Sequence, residues 1–290
     1  MPFNPNLTLH AIVVNLIATT DGRVPLTQGA LAHAAFFDLV RAADPELAAY
    51  FHGQNARQPF TLSPLRELPA GPDEGGYHLR AGNRAALRLT LLDPDLFLAF
   101  LQRLLAAGPD LRLRIGDVTF AVESALGTPG SHPWAGYTTA GGLRGAAGLE
   151  QRIRMVLATP TAINLGALGA AKQRMVLIPI PQYVFASLRG AWNRLTGDEI
   201  PIAFEQWVAD YVFVRELRNW QTAVYQLKRG TYPGGFGDVT FEALDPAPTF
   251  VRTLNLLADF AFYSGVGTKT TMGMGQARRL VGGIPDKVTR

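Results

Sequence analysis

Short strand-like and helix-like segments alternate along both halves of the chain, and this alternation is the feature that most limits the fold. In the first half the predicted order is strand, helix, strands, helix, strand, which is the split β-α-β order of a ferredoxin-like domain. The predicted strands are Leu7–Ala18, Phe60–Leu65, Tyr77–Arg80, Ala85–Leu92 and Asp117–Ala125, and the predicted helices are Thr27–Arg41, Pro45–Phe51 and Asp95–Ala106. Thr27 is expected to cap the first helix. The apolar face of this helix is predicted to consist of Leu31, Ala34, Ala35 and Leu39.

The second half repeats this order more loosely, and 290 residues are enough for two domains. The predicted strands are Gln151–Thr159 (ended by Pro160), Ile202–Trp207, Tyr211–Arg218, Gln221–Lys228, Phe236–Ala243 (after a turn at Pro233-Gly234-Gly235) and Gln276–Val281, and the predicted helices are Pro181–Leu195 and Thr249–Tyr263. Gly127–Gly148 is rich in glycine and is predicted to be the linker, although a hairpin of its own also fits. We therefore expect an α+β protein with two tandem ferredoxin-like domains, over residues 1–140 and 141–290.

The composition excludes several classes of site. The chain has no cysteine, which rules out disulfide scaffolds, thiolate metal sites and cysteine nucleophiles. No apolar run approaches the roughly 18 residues of a membrane-spanning helix, so we expect a cytoplasmic protein without membrane contact. No group of acidic residues and histidines has the spacing of metal ligands, and we expect no metal and no cofactor.

Glycine is concentrated in one segment, Ser264–Gly275, which reads SGVGTKTTMGMG. It fits neither common nucleotide motif, because Lys269 follows a threonine and the third glycine of a dinucleotide fingerprint is absent. The stretch 264–290 nevertheless carries five basic residues against one acidic residue, which favours a polyanionic ligand. Two interpretations stay open: backbone amides that bind phosphate, or a helix-to-strand turn that needs glycine only to pack.

The same tail, FYSGVGTKTTMGMGQARRL, resembles the C-terminal glycine-rich loop of CRISPR-associated RAMP proteins, above all of the endoribonuclease family that cuts precursor CRISPR RNA within its repeats. Other segments resemble that family in the same order along the chain. They are DPELAAYFHGQNARQPFTLSPL at Asp44–Leu65, MVLATP at Met155–Pro160, PQYVFASLRGAWN at Pro181–Asn193 and YPGGFGDV at Tyr232–Val239. The resemblance implies two ferredoxin-like domains and metal-independent cleavage of RNA.

His52 matches the position at which many members of that family carry their catalytic histidine. The resemblance implies that a ribose 2′-OH attacks the adjacent phosphorus and the 5′ oxygen leaves, giving 2′,3′-cyclic phosphate and 5′-OH ends. An imidazole with a pKa of about 6.5 can transfer protons at neutral pH, typically for a rate gain of about 10²–10⁴. From the residues alone, His52 also fits a helix C-terminal cation that offsets the helix dipole.

Some members of the family carry a tyrosine on the first helix and a lysine shortly after the histidine, and this chain has neither. Arg57 is therefore predicted to stabilise the charge of the transition state. Tyr50 and His33 are weaker candidates for a second catalytic group.

RNA is expected to contact the glycine-rich segment and basic residues of the second half. The predicted contacts are Gly265, Gly267, Lys269, Thr270, Gly273, Gly275, Arg278, Arg215, Arg218, Lys228 and Arg229. A second basic group near the junction consists of Arg144, Arg152, Arg154, Lys172 and Arg174. The expected partner is CRISPR repeat RNA, as precursor and as mature guide RNA. Other subunits of a CRISPR effector complex and a second copy of the chain, in a homodimer, are further partners consistent with the resemblance.

Two other functions stay open at this point. A non-catalytic RAMP subunit that binds CRISPR RNA in an interference complex would share the fold and the loop, and would need no exposed histidine near the RNA. A metal-dependent nuclease or phosphatase would need clustered acidic residues and histidines at ligand spacing, a pattern that the sequence lacks.

Overall fold

The structure is a computed structural model that describes residues 2–53, 58–167, 174–227 and 230–280, without the side chains of residues 52 and 53. The N-terminal half contains β1 (Thr8–Ala18), β2 (Gly22–Val24), α1 (Gly29–Ala43), α2 (Pro45–Gly53), β3 (Phe60–Leu62), β4 (Tyr77–Leu79), β5 (Arg84–Leu91), α3 (Pro94–Ala107), β6 (Arg112–Ile115), β7 (Val118–Leu126), β8 (Gly136–Thr139) and α4 (Ala140–Ala146). The C-terminal half contains β9 (Arg152–Thr161), β10 (Ile163–Asn164), β11 (Met175–Val176), α5 (Pro181–Thr196), α6 (Ala203–Tyr211), β12 (Val212–Leu227), β13 (Gly230–Ala243), α7 (Pro248–Ser264) and β14 (Ala277–Arg279).

Each half has a main antiparallel sheet with the same strand arrangement. The N-terminal sheet has the order β3-β5-β1-β7-β6, and β8 also pairs with β1. The C-terminal sheet has the order β12-β13-β9-β14. In both sheets the first strand of the half lies between the third and the last strand of the split β-α-β unit, with a helix in each crossover. The predicted fold class, two tandem ferredoxin-like domains, is confirmed; the boundary between residues 140 and 141 stays a prediction.

The long apolar run of β1 arises because this strand contributes to both cores. Leu9 and Ala11 pack into the core of the C-terminal half, whereas Val14 and Leu16 pack into the core of the N-terminal half. Successive side chains of a strand point to opposite faces. A strand that is buried on both faces therefore reads as a continuous apolar run instead of an alternating one.

Helix starts follow the local sequence where proline and a capping carboxylate occur together. Asp93 caps α3 by accepting from the amides of Asp95 and Leu96, and Pro94 occupies the first turn. At its C-terminal end, α5 stops at Gly197, which adopts φ +71°.

The predicted cap of the first helix is wrong, whereas its predicted apolar face is right except for Ala34. Thr27 does not cap α1, since its hydroxyl donates to the carbonyl of Gln226 across the domain junction. Ala35 and Leu39 are buried and Leu31 packs against the same core, but Ala34 is exposed. Phe36, Phe37 and Val40 are buried as well, so the apolar face is wider than predicted.

Several predicted elements of the second half are also wrong. Ile202–Trp207 is not a strand, because Phe204, Trp207 and Val208 are buried at helical spacing in α6. The two strands predicted over Tyr211–Lys228 form the single strand β12, which ends at Leu227.

Two breaks predicted at glycine and proline are also wrong. Pro233-Gly234-Gly235 is not a turn but part of β13, where a Cβ at Gly235 would overlap the carbonyl oxygen of Leu177 and the Trp220 ring. Pro160 does not end β9, which continues to Thr161.

The predicted linker Gly127–Gly148 contains β8 and α4, and β8 pairs with β1 instead of forming a hairpin of its own. Within the described ranges, no helix has both the length and the apolarity needed to cross a bilayer.

Candidate nucleic-acid cleft

The glycine-rich segment turns sharply between α7 and β14. Gly265, Gly267, Gly273 and Gly275 all adopt positive φ, and so does Lys269, at +58°. A Cβ at Gly267 would overlap the carbonyl oxygen of Ala162. The loop therefore needs glycine both for its backbone angles and for close packing.

Most amides of this loop are used inside the protein. Val266 donates to the carbonyl of Gly275 at 2.8 Å, and Thr268 donates to the carbonyl of Ala162 at 2.9 Å. Gly267 donates to the hydroxyl of Ser187 at 3.3 Å. Of the two interpretations of this segment, packing explains these glycines, and phosphate binding by the loop stays a prediction that depends more on side chains than on amides.

A cleft of about 600 Å³ lies beside the loop, at the junction of the two halves. One wall is the loop from Gly267 to Met272, which contributes Lys269, and the other is a face of α5. The lining is completed by β10 and by Gln58, which belongs to the N-terminal half. Nζ of Lys269 lies 5.0 Å from the centre of the Tyr232 ring, which holds this cation beside β13.

The end of α2 meets this cleft. Nε2 of Gln58, a lining residue, donates to the carbonyl oxygen of Phe51 at 2.8 Å. His52 follows Phe51 in the last turn of α2. The backbone of His52 is therefore one residue away from the Phe51 carbonyl, which Gln58 of the cleft lining contacts. The His52 side chain and Arg57 lie outside the described residues, so their predicted roles stay predictions.

The two weaker catalytic candidates have different surroundings. Tyr50 is exposed and its ring meets the Phe51 ring edge-on, with 5.0 Å between centres. His33 is half-buried, and its ring lies 4.7 Å from that of Phe37 and 5.8 Å from that of Phe60, both core residues. Its contacts are those of a residue at the edge of the core.

The basic residues of β12 and β9 that were candidates for RNA contact form ion pairs with carboxylates of the protein. Arg215 lies 2.6 Å from Glu242, and Arg218 lies 2.7 Å from Glu216. The second basic group is similar: Arg144 pairs with Asp198, Arg152 with Glu242 and Arg154 with Asp238. These surfaces therefore carry less free positive charge than the sequence count suggests. Lys172, Lys228 and Arg229 lie outside the described residues.

A buried arginine joins the two halves, and the sequence reading missed it. Arg88, on β5, donates to the carbonyl of Trp134 at 2.9 Å, to the carbonyl of Phe262 at 2.5 Å and to Oε1 of Gln276 at 2.6 Å. Burial lowers the pKa of Arg88 to about 9, which leaves it charged at neutral pH. The signal was available, since an arginine stands in the middle of the apolar strand Arg84–Leu91.

Two further arginines lie near the ring of Trp134. Arg66 is 5.1 Å and Arg278 is 4.9 Å from the centre of Trp134. Arg278 donates to the carbonyl of Pro133 at 2.8 Å. Burial lowers the pKa of both arginines. Arg278, a predicted RNA contact, thus also helps to join the halves, and its role in RNA binding stays a prediction.

Comparison with known proteins gives the same picture over nearly the whole chain. Residues 8–143 match the family model of the CRISPR Cas6 N-terminal domain, and residues 155–277 match that of the CRISPR-associated endoribonuclease Cas6. A solved Cas6 product complex is 30% identical, with 94% of this chain and 100% of that one covered and a TM-score of 0.81. A Thermus thermophilus Cas6 is 27% identical, with 94% and 98% covered and a TM-score of 0.72.

A curated CRISPR-associated endoribonuclease Cas6 of Streptococcus thermophilus is 27% identical over 124 residues, which is 42% of this chain and 47% of that relative. The match thus spans about half the length of the curated relative. These matches, together with two ferredoxin-like domains joined at a cleft, place the protein in the RAMP class. Within that class, the chain belongs to the Cas6 family of CRISPR-associated endoribonucleases.

Proposed function

We propose that this protein cuts precursor CRISPR RNA within its repeats, by attack of a ribose 2′-OH on the adjacent phosphorus, and so produces guide RNAs. The observation that supports this most is the shared cleft. The glycine-rich loop, α5 and the chain that follows α2 meet there, next to the helix turn that carries His52. Relatives solved as a product complex and as a substrate mimic complex are consistent with an RNA substrate.

The proposed reaction needs one proton removed and one supplied. The 2′ oxygen loses its proton as it bonds to phosphorus, and the 5′ oxygen of the next nucleotide takes a proton as its bond to phosphorus breaks. The products are a 2′,3′-cyclic phosphate and a 5′-OH. His52 is the proposed group for proton transfer, because an imidazole changes charge near neutral pH.

The phosphorane carries an extra negative charge, which a nearby cation stabilises. Arg57 is the proposed cation from the segment after His52. Lys269, on the cleft wall, is a second cation that the RNA backbone would meet. DNA, which lacks the 2′-OH, should remain uncut.

Metal independence is part of the proposal. Across the described ranges, no group of three or more acidic or histidine side chains lies close enough together to hold a metal ion. Proton transfer by His52 needs no metal, so cleavage should continue in excess EDTA. A loss of activity in EDTA that Mg²⁺ restores would contradict this part of the proposal.

The test compares wild type with His52→Ala and His78→Ala on repeat RNA from the neighbouring CRISPR array. His78 is an exposed histidine on β4 that contacts Asp73 at 2.8 Å, and it serves as the matched control. His52→Ala should reduce single-turnover cleavage by about 10²–10⁴ while RNA affinity stays within twofold. His78→Ala should cut like wild type. Cleavage by His52→Ala at the wild-type rate would remove His52 from the mechanism, and wild type that binds without cutting would favour a non-catalytic RNA-binding subunit.

A further inference from the structure

The wall of the cleft opposite the glycine-rich loop is one face of α5. Tyr183, Ala186, Ser187, Gly190 and Arg194 line the cleft, and their spacing places them on one side of the helix. The opposite side of α5 is buried in the C-terminal core through residues that include Phe185, Leu188 and Trp192. The helix is thus fixed to the core and presents a second, different surface to the cleft.

The middle of this surface is almost bare. Ala186, Ser187 and Gly190 have little or no side chain, and Ser187 is tied to the loop by the bond from the Gly267 amide. A glycine inside a helix costs roughly 0.5–1 kcal/mol relative to alanine. Packing within the described protein does not account for this glycine, because a Cβ at Gly190 would meet nothing within 4 Å. A helix surface that is kept bare without a protein neighbour points to a ligand that approaches it closely.

A cation stands at the end of this bare surface. Arg194 lies in the last turn of α5 and is exposed. Among the described residues, no carboxylate forms an ion pair with it, in contrast to Arg189 on the same helix, which pairs with Glu205 at 2.6 Å. A cation at a helix C-terminus is also favourable for the helix dipole alone, and the experiment below separates these roles.

We propose that this face of α5 binds a single-stranded segment of the RNA, with the sugar-phosphate backbone against Gly190 and a phosphate on Arg194. The proposal rests on the proposed function and deepens it, because it gives the cleft a second wall that positions nucleotides flanking the scissile phosphate. A cleft of about 600 Å³ is in the range of small-ligand pockets, roughly 300–1,000 Å³, which suits one or two nucleotides better than a double helix.

The test uses four variants of the full chain. Gly190→Leu fills the bare surface, Gly190→Ala changes it least, and Arg194→Gln removes the cation. Arg114→Gln is the charge control, because Arg114 is exposed on β6, at the opposite edge of the N-terminal sheet from β3. Leucine and alanine both favour a helix more than glycine, so Gly190→Leu should melt at or above the wild-type temperature.

Binding is measured with repeat RNA that carries a 2′-deoxy scissile ribose, so that cleavage does not interfere. We expect Gly190→Leu to weaken affinity by roughly tenfold, the order of magnitude of losing one bound base. Arg194→Gln should weaken it by about threefold to tenfold and make the slope of log affinity against log salt about 0.7 shallower, as for one lost phosphate contact. Gly190→Ala should weaken affinity as well, but by less than Gly190→Leu does, and Arg114→Gln should stay within twofold of wild type.

RNAs shortened from either end identify the flanking segment. One of the two shortened RNAs should bind wild type and Gly190→Leu equally well, since the segment that meets α5 is gone. This inference would be overturned if both Gly190→Leu and Arg194→Gln bound repeat RNA as tightly as wild type does. If wild type also cut that RNA, the proposed function would still stand. A stability loss in Arg194→Gln without any change in RNA affinity would assign Arg194 to the helix dipole instead. Wild type that does not cut repeat RNA would instead refute the proposed function.

Discussion

Arg88 should hold the two halves of the molecule together, and replacing it by methionine tests this. The Arg88 guanidinium belongs to β5 of the N-terminal half, and two of its three acceptors, the Phe262 carbonyl and Oε1 of Gln276, belong to the C-terminal half. The same Gln276 side chain donates to the Leu62 carbonyl at 3.1 Å. One substitution therefore disturbs a polar network that crosses the junction.

The magnitude follows from what is left behind. Methionine fills much of the space of the Arg88 stem but leaves its three acceptors in the interior without their donor. A buried polar group that loses its partner costs about 1–3 kcal/mol, and removal of the buried charge offsets part of this cost. We expect Arg88→Met to reduce the free energy of unfolding by about 3 kcal/mol.

Urea denaturation, followed by tryptophan fluorescence and by circular dichroism, measures this change. Arg84→Met on the same strand is the control, because Arg84 is 71% exposed and pairs with Glu123 at 2.8 Å; an exposed pair contributes about 0–1 kcal/mol. The two probes should coincide for wild type and separate for Arg88→Met, since the halves then unfold more independently. A midpoint for Arg88→Met equal to that of Arg84→Met would refute the role assigned to the buried guanidinium.

Four further outcomes follow from particular contacts. Gly267→Ala should reduce stability in chemical denaturation by more than about 2 kcal/mol, because it adds an overlap with a carbonyl to the strain of positive φ; Gly71→Ala, which has the same φ of +80° but open space around it, should cost about 1 kcal/mol. Asp93→Ala should cost about 1 kcal/mol in the same assay, from loss of the α3 cap. Burial raises the pKa of Tyr225 to about 12, so the Tyr225 hydroxyl ionises at a lower pH in the unfolded chain than in the folded protein. Wild type should therefore lose stability relative to Tyr225→Phe as the pH rises from 10 to 12. Lys269→Ala should weaken RNA affinity in filter binding more than it slows single-turnover cleavage, because a cation on the cleft wall contacts the backbone of bound RNA in both ground and transition states.

The order of elements was predictable because most strands and helices have clear local patterns. Proline with an adjacent carboxylate marks the start of α3, and the apolar run of β1 reflects burial on both faces. Several of the errors share one cause, which is that a local pattern does not show what a glycine, a proline or a short aromatic run packs against. Gly235 serves close packing against Trp220, and Phe204 packs into the core from a helix instead of from a strand. Such roles depend on neighbours that are distant in sequence.

The site was predictable only in part, for a similar reason. Composition indicates the glycine-rich segment, and the role of His52 stays a prediction from resemblance to a family. Neither Arg194 nor Gly190 carries a local signal, because an exposed arginine and a helical glycine are each unremarkable until the cleft places them opposite the loop. Arg88 had a signal, a charge inside an apolar strand, but two of its three acceptors lie more than a hundred residues away in sequence.

The most direct test of the proposed chemistry changes one atom of the RNA. Wild-type protein is incubated in EDTA with repeat RNA that carries a single 2′-deoxy nucleotide at the scissile position, beside the same RNA with ribose there, and the product ends are identified by mass. The mechanism predicts cutting of the ribose RNA alone, with a cyclic phosphate on one fragment and a 5′-OH on the other. Cutting of the deoxy RNA at the same position, or a 5′-phosphate on the product, would contradict it.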